Sequence, residues 1–189
     1  MRDGANVADL LDPSFLARRR HEPPGPPVEP PGGTVYLCAV DGERMAVSFI
    51  QSLFMGFGSG IVAPGTCIVL QNRGACFALH GAVEPGRRPY HTIIPGMLLR
   101  DGRLWGPFGV MGGFIQAQAH MQLVSALVDD GLDPQSALDR KRFRVHGAAV
   151  EEEGDVVDGR FGGGQAILVE GEGLIGGSDR RKDGYAGGL

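Results

Sequence analysis

A proline-rich segment, PPGPPVEPPGG, ends immediately before TVYLCAVD, the first strand-like run of this chain. Proline fixes φ and lacks a backbone donor, so such a segment favours an extended, solvated linker over a helix or a strand. We therefore expect three parts: a short capped helix within residues 1–22, a linker over 23–33 and a folded domain over 34–189. The first residue of that domain is Thr34.

Turn signals divide the domain into strand-like runs. Thr34–Val40 and Met45–Gln51, joined by DGER, predict a β-hairpin. TIIPGMLLRDGRLWG predicts a second hairpin that turns at Asp101-Gly102, and Pro95 indicates that its first strand lies at a sheet edge or begins late. Further strands are predicted at CIVLQN, Val145–Val150, Gln165–Glu170 and Leu174–Ser178.

Two helices are predicted between the strands. The long one extends from about Gly113 to Asp130, and the second begins at Asp133-Pro134 and ends at Arg142. An α+β layered domain with antiparallel sheet follows from this order of elements. The long helix is expected to bury a stripe of residues at three- and four-residue spacing: Phe114, Ala117, Met121, Val124 and Val128.

Composition excludes several classes of function. A net charge of -4 and a pI near 5.7 argue against nucleic-acid binding, and no apolar stretch is long enough to span a membrane. No secretory signal is visible, so a cytoplasmic location is expected, or a periplasmic one if the chain is a fragment of a longer precursor. The histidines are scattered without the spacing of metal ligands, and no metal or other cofactor is expected.

Thr34 is the first candidate for a catalytic residue. If the Gly33-Thr34 bond is cut, the free α-amine, with an ordinary pKa of about 7.7 to 8.0, can accept the proton of the threonine hydroxyl and make it a nucleophile. The preceding Gly32-Gly33 would let the hydroxyl attack the carbonyl before it. Without cleavage, Thr34 is an ordinary strand residue after a loop, and the residues alone leave both interpretations open.

Three other places carry candidate site residues. Gly112-Gly113 precedes the long helix, where unpaired N–H groups could form an oxyanion hole or the glycines could simply form a bend. Arg73 follows a predicted strand and could meet a substrate carboxylate or form a surface salt bridge. His91-Thr92 could line a pocket or form a solvated turn.

Five ordered blocks of the sequence resemble one family. TVYLCAVD, MAVSFIQS, FGSGIV, RRPYHTIIP and MGGF occur in the order found in the small subunit of gamma-glutamyltransferases, which are N-terminal nucleophile hydrolases. The resemblance runs from about Gly32 to Arg144 and returns at GGGQAILV and GGSDRR. It implies a four-layer αββα sandwich, autocatalytic cleavage before Thr34, and acyl transfer or hydrolysis through a threonyl ester.

The resemblance also implies residue roles. Thr34 would be the nucleophile, Gly112 and Gly113 would form the oxyanion hole, and Ser52 stands where the family has a threonine that assists the nucleophile. Arg73, His91 and Thr92 fall in the substrate-binding segments.

Departures from the family pattern lie in the donor pocket. Phe54 stands where the transferases have an asparagine, and RGACF replaces QMDDF, so that Arg73 and Cys76 replace a glutamine and an aspartate. An arginine repels an ammonium group and cannot accept its hydrogen bonds. The pattern is more similar to the branch that includes acylases and oxamate amidohydrolase. We expect Arg73 to meet a carboxylate or amide oxygen of a donor without the glutamyl ammonium.

In the family, a long upstream segment forms a large subunit, whereas only residues 1–33 precede Thr34 here. A large subunit, encoded separately or missing, is therefore the expected partner, beside a small-molecule γ-glutamyl or other amide substrate. Two functions stand: a glutathione hydrolase or related amidohydrolase or acyltransferase matured at Gly33-Thr34, or a truncated, non-catalytic fragment or interaction subunit.

Overall fold

The computed structural model describes residues 12–14, 17, 32–80 and 83–188. The predicted N-terminal helix and linker lie outside the described residues, except for residues 12–14, 17, 32 and 33. The α-helices of residues 32–188 are α1 (Ile115–Val128) and α2 (Pro134–Asp139). The strands are β1 (Gly32–Val40), β2 (Ala46–Met55), β3 (Gly96–Arg100), β4 (Arg103–Met111), β5 (Phe143–His146), β6 (Ala149–Glu152), β7 (Gly163–Glu170) and β8 (Gly173–Ser178).

The first predicted hairpin is confirmed, since β1 and β2 pair antiparallel. Asp41 closes its turn by accepting hydrogen bonds from two backbone N–H groups at 2.9 and 2.8 Å. β1 begins at Gly32, before the predicted boundary at Thr34, and β2 continues past the predicted end at Gln51 to Met55.

A four-stranded antiparallel sheet, in the order β3-β4-β7-β8, forms the centre of the domain. The predicted hairpin β3-β4 is confirmed: Asp101 and Gly102 have φ of 52° and 73°, the left-handed conformation of a tight two-residue turn. β3 begins directly after Pro95 and is an edge strand, as a residue without a backbone donor requires. The predicted strands at Gln165–Glu170 and Leu174–Ser178 are confirmed as β7 and β8.

Two strand predictions are wrong. The single strand expected over Val145–Val150 is split into β5 and β6, because Gly147 reverses the chain with φ of 60°. CIVLQN forms no strand but belongs to a compact loop with one bridge, between Val62 and Val69. Its apolar side chains gain little burial there, since Ile68 is 60% exposed, and no ladder extends from the bridge.

Both helices are confirmed, but the predicted stripe on α1 is wrong. Met121 and Val128 are 54% and 52% exposed, and a different face is buried, which includes Ile115, Ala119, Leu123 and Ala126. α1 is apolar on more than one side, so spacing alone allowed two solutions. The side chain of Asp133 caps α2 by accepting from two backbone N–H groups, and α2 ends at Asp139 rather than Arg142.

The elements form three layers. In β4, a Cβ on Gly109 would lie 2.4 Å from the ring of Tyr36, so this face of the sheet packs on the β1-β2 hairpin. Neighbouring side chains of a strand point to opposite faces, and Phe108 and Val110 pack with the helices. On the outer face of the hairpin, large apolar side chains are 45 to 55% exposed: Val35, Leu37, Val47 and Phe49.

A buried ionic network, defined here as Arg142, Glu153, Asp179 and Arg181, joins the end of α2, the β5-β6 hairpin and the segment after β8. Arg142 Nη2 lies 2.6 Å from Asp179 Oδ2, and Arg181 donates to Glu153 Oε1 at 2.7 Å and to Asp179 Oδ1 at 3.0 Å. Further N–H groups of the two arginines donate to backbone carbonyls, so the charges are both neutralised and hydrogen-bonded.

Candidate active site

Thr34 lies in β1 directly opposite Ser52 of β2. Its Oγ1 donates a hydrogen bond to Ser52 Oγ at 2.9 Å, in a partly buried position. Ser52 Oγ also accepts a hydrogen bond from the backbone N–H of Phe54 at 2.9 Å. The hydroxyls of Thr34 and Ser52 are therefore in direct contact across the hairpin; that Ser52 assists the nucleophile stays a prediction.

The β1-β2 ladder is irregular at the peptide bond before Thr34. Gly32 pairs with Met55 and Thr34 with Ser52, so the register shifts across Gly33. A Cβ on Gly33 would lie 3.1 Å from the carbonyl oxygen of Gly56, closer than most real contacts. A side chain at this position would require the neighbouring carbonyl to shift by a few tenths of an ångström, and the bond lies in a bulge rather than in a regular ladder.

Phe54 connects the threonine to the arginine. Its φ of 74° is unusual for a bulky residue and is a form of backbone strain found at functional sites. In this conformation its N–H points to Ser52, while its ring lies 4.3 Å from the guanidinium carbon of Arg73. The side chain of Asn72 stabilises the bend by bonding both the N–H and the carbonyl of Met55.

Arg73 is buried, with 5% of its surface exposed, and its Nη1 donates to Thr92 Oγ1 at 2.8 Å. The surface salt bridge that the sequence left open is thereby excluded; no ion pair with Arg73 is found among the described residues. Thr92 is 4% exposed and lines this buried cluster, whereas His91 is exposed. Partial burial, and then the positive charge of Arg73, lower the pKa of His91.

Gly112 and Gly113 form the sharp bend from β4 into α1, with φ of 140° and 70°. A Cβ on Gly112 would lie 2.9 Å from the Cα of Gly162, whereas nothing lies within 4 Å of one on Gly113. No side chain caps the N-terminus of α1. The helix therefore presents backbone N–H groups and its positive end at an open position.

A groove of about 470 Å³ is lined by Thr34 and by Met111, the residue before the bend; Gly112 and Gly113 themselves are not among its lining residues. Its other walls are β1 from Val35 to Cys38, parts of β7 and β8, and residues 182–187. The C-terminal residues thus lie along the groove, and nothing in their glycine-rich sequence predicted this position.

The structure brings the predicted residues together to different degrees. Thr34 and Ser52 are in direct contact, as are Arg73 and Thr92, and Phe54 connects the two pairs. For Gly112 and Gly113 no contact with Thr34 is seen among the described residues, and only their neighbour Met111 lines the groove. Sequence reasoning did not single out Asn72 or Gly162, although the first is adjacent to Arg73 and the second begins a run of three glycines.

His120 of α1 is hydrogen-bonded to the end of β4, just before the Gly112-Gly113 bend. Its Nε2 accepts a hydrogen bond from the backbone N–H of Val110 at 2.9 Å, and it is 8% exposed. Burial lowers the pKa of His120 to about 4, so the ring is neutral at pH 7 and able to accept that bond.

Among residues 32–80 and 83–188, no group of three or more His, Cys, Asp or Glu side chains is arranged to hold a metal ion. The helices of this part are also too short or too polar to cross a membrane.

A hairpin, a four-stranded antiparallel sheet and a layer of helices, with Thr34 on the first strand, fit the class of N-terminal nucleophile hydrolases. The cephalosporin acylase of Bacillus halodurans has this fold and matches with a TM-score of 0.81 at 41% identity, over 96% of this chain and 39% of that one. The chain matches the family model of gamma-glutamyltranspeptidase over residues 4–189, and it belongs to that family. The predicted family and the small-subunit-like fold are confirmed.

Two curated relatives show how much of such proteins the chain represents. The glutathione hydrolase-like YwrD proenzyme of Bacillus subtilis is 35% identical over 189 aligned residues, which cover 82% of this chain and 36% of that protein. The oxamate amidohydrolase proenzyme of Klebsiella pneumoniae is 43% identical over 118 residues, 60% of this chain and 22% of that protein. The chain therefore spans about a third or less of these relatives.

Proposed function

We propose that this chain carries the catalytic portion of an amide hydrolase or acyltransferase of the gamma-glutamyltranspeptidase family, matured by cleavage at Gly33-Thr34. The observation that supports it best is the hydrogen bond from Thr34 Oγ1 to Ser52 Oγ, 2.9 Å long, beside a break in the strand register. Glutathione hydrolysis or a related amide cleavage is the reaction class, in line with the proenzyme names of the relatives.

In maturation, Thr34 Oγ1 adds to the carbonyl carbon of Gly33. The C–N bond then breaks as the amide nitrogen takes up the hydroxyl proton, which leaves an ester between the two residues. Water hydrolyses this ester, giving a carboxyl group on Gly33 and a free α-amine on Thr34. The bulge favours the step because the bond is not held in a regular ladder.

In turnover, the α-amine of Thr34 accepts the hydroxyl proton while the oxygen attacks the acyl carbon of the donor. The donor C–N bond breaks and the amine leaves with that proton. Water or an acceptor amine then attacks the threonyl ester, releases the acid or a new amide, and returns a proton to Thr34. Backbone N–H groups of Gly112 and Gly113 stabilise the oxyanion of both tetrahedral intermediates.

Substrate binding is assigned to Arg73, His91 and Thr92. Their support is proximity: the cluster contacts Phe54, which contacts Ser52, and so lies two residues from the nucleophile along a chain of direct contacts. The donor end away from the leaving group would lie against this cluster.

A large-subunit-like segment of the same family completes the site, on this or a separate polypeptide. Its docking surface is the outer face of the β1-β2 hairpin, where Leu37 and Phe49 form a cross-strand apolar pair and Val35 and Val47 extend the patch. The fourth layer of an αββα sandwich would cover this face. The cytoplasmic location expected from the sequence remains a prediction.

The proposal is tested by intact-mass measurement and N-terminal sequencing of the full-length protein, made with and without a co-expressed large subunit. We expect a fragment that starts at Thr34, absent from Thr34→Ala and present in the matched variant Thr66→Ala, whose hydroxyl lies in an exposed turn. A chain that is never cut before Thr34 under either condition would contradict the proposal. It would favour the alternative, a non-catalytic interaction subunit.

A further inference from the structure

The Gly112-Gly113 bend packs directly against the backbone of Gly162. A Cβ on Gly112 would lie 2.9 Å from the Cα of Gly162, and a Cβ on Gly162 would lie 2.7 Å from the carbonyl oxygen of Met111. Both distances are shorter than those real Cβ atoms show, so a side chain on either glycine would force the two backbones apart. The segment before β7 and the bend before α1 are therefore in close contact.

Gly162 has a backbone conformation that is essentially restricted to glycine, with φ of 78° and ψ of -177°. It ends a single turn of 3-10 helix, Gly159–Phe161, and its N–H donates to the carbonyl of Gly159 at 3.2 Å. At the next residue, Gly163 pairs with Met111 at the end of the β4-β7 ladder. Gly162 thus lies where β4 leaves the sheet and turns into the bend.

The ionic network holds the other side of this segment. Arg142 Nη1 donates to the carbonyl oxygen of Phe161 at 3.1 Å, while its Nη2 is paired with Asp179. The side chain of Phe161 is itself buried, and its ring lies 5.7 Å from the guanidinium carbon of Arg144. Gly162 is therefore placed between a charge-balanced cluster and the bend.

We propose that Gly162 is a positioning residue for the oxyanion hole: held in place through Arg142 and Phe161, it fixes the direction of the backbone N–H groups at Gly112 and Gly113. This deepens the proposed function and rests on Thr34 as the nucleophile. An oxyanion hole is effective only where its donors are fixed before the charge develops. No side chain caps α1, and nothing lies within 4 Å of a Cβ on Gly113, so the contact with Gly162 is the one that can fix the bend on this side.

Gly162→Ala and Gly171→Ala form a matched pair for kinetics on the mature protein with γ-glutamyl-p-nitroanilide. Both glycines have positive φ, 78° and 57°, but nothing lies within 4 Å of a Cβ on Gly171. In Gly162→Ala the new methyl group displaces the Met111 carbonyl and the bend with it. We expect kcat to fall by about 10- to 100-fold with KM nearly unchanged. Gly171→Ala should keep kcat, and equal kcat in the two folded variants would overturn the proposal.

A tetrahedral mimic distinguishes positioning from a merely structural role. The boronic acid with a γ-glutamyl chain adds the Thr34 oxygen to boron while the hydroxyl proton passes to the α-amine, which gives an anionic adduct with a boron-bound hydroxyl in the oxyanion hole. Its Ki should rise in Gly162→Ala by about the factor lost in kcat/KM, because both depend on the same donors. A variant that is less stable but binds the boronate with full affinity when folded would refute the proposal.

A second pair of variants tests the proposal without a change at Gly162, in case Gly162→Ala does not fold. Arg142→Lys keeps a charge beside Asp179 but lacks the fork that also holds the Phe161 carbonyl. Arg181→Lys weakens the same network, and the Arg181 side chain donates to other carbonyls. Both should lose stability in urea, whereas kcat should fall only in Arg142→Lys, by about 2- to 10-fold, as for the loss of one hydrogen bond. Equal kcat in the two would contradict the proposal.

The unsubstituted protein separates this inference from the proposed function. If it forms no acyl group on Thr34, the proposed function fails and this inference fails with it. If Thr34 is acylated and Gly162→Ala turns over as fast as Gly171→Ala, the inference alone fails.

Discussion

Two clusters of buried arginine in this chain differ in how their charge is balanced. In the ionic network, Arg142 and Arg181 face Asp179 and Glu153, and all four side chains are 3% exposed or less. Beside the candidate nucleophile, Arg73 is equally well buried but contacts a hydroxyl and an aromatic ring.

The difference distinguishes a structural cluster, whose charges are balanced, from a cluster in the candidate active site. The ionic network is closed: every charge has an opposite charge, and the remaining donors bond backbone carbonyls, so it joins chain segments and needs no ligand. The Arg73 cluster is open: among the described residues, no acidic side chain pairs with the guanidinium, which contacts Thr92 and Phe54. Burial of a charge is thus a weak sign of a functional site, whereas burial without a counter-charge is a stronger one.

The largest expected effect tests the closed cluster. Asp179→Asn keeps the shape of the side chain but leaves two buried arginines short of charge, so the free energy of unfolding should fall by roughly 3 to 5 kcal/mol. Urea unfolding measures it. Asp155→Asn removes an exposed partner of Lys141 and should cause no measurable change. Equal stabilities for the two variants would show that the network is not closed as described.

A second effect concerns His120, a buried side chain that is neutral and accepts a hydrogen bond from the backbone N–H of Val110. Its pKa is about 4 in the folded chain and near 6.5 unfolded, so between these values the unfolded state binds the extra proton. The contribution of His120 to the free energy of unfolding should therefore be complete above pH 6.5 and decrease as the pH falls toward 4. Below pH 4 it should level off, after a total loss of roughly 3 kcal/mol. Urea unfolding at each pH measures how steeply the free energy of unfolding depends on pH. This dependence should be weaker in His120→Gln and unchanged in the control His146→Gln.

A third effect is kinetic and concerns the strand bulge. Gly33→Ala places a Cβ 3.1 Å from the Gly56 carbonyl, so cleavage before Thr34 should slow on the order of tenfold, about 1.4 kcal/mol in barrier. Gly42→Ala is the control, because nothing lies within 4 Å of a Cβ there. Mass spectrometry against time after synthesis follows both. Unchanged cleavage in Gly33→Ala would mean that the close approach has no part in maturation.

The smallest effect completes the comparison. Because no described residue gives Arg73 a counter-charge that could be lost, Arg73→Gln should leave the free energy of unfolding nearly unchanged or slightly higher. The same urea assay as for Asp179→Asn measures it. A loss as large as that of the network variant would show that Arg73 has a structural partner, and the contrast between the clusters would disappear.

Local chemistry explains which parts of the fold were predictable. Asp101-Gly102 marks a two-residue turn, and Asp133 followed by Pro134 marks a helix start, because these residues act within a few positions. The buried side of α1 was not predictable, since Ile115 and Leu123 compete with the stripe through Met121 and the sheet decides between them. Such choices depend on contacts between segments distant in sequence.

The same division applies to the candidate site. The pairing of Thr34 with Ser52 follows once the first hairpin is placed in register. The contact of Arg73 with Thr92 and the positive φ of Phe54 arise from loop geometry that these residue types do not indicate. A glycine at position 54 would have indicated a positive φ, whereas a phenylalanine does not. Family resemblance pointed to the positions, but the balance of charge around Arg73 needed three-dimensional contacts.

The central claim, that Thr34 becomes the nucleophile once the bond before it is cut, can be tested by trapping the acyl intermediate. The mature protein is mixed with γ-glutamyl-p-nitroanilide, quenched in acid within the first turnover, digested and analysed by peptide mass spectrometry. We predict one γ-glutamyl group on the hydroxyl of Thr34, in a peptide whose N-terminus is Thr34 itself. Release of nitroaniline with the acyl group on another residue, or on Thr34 of an uncut chain, would contradict the claim.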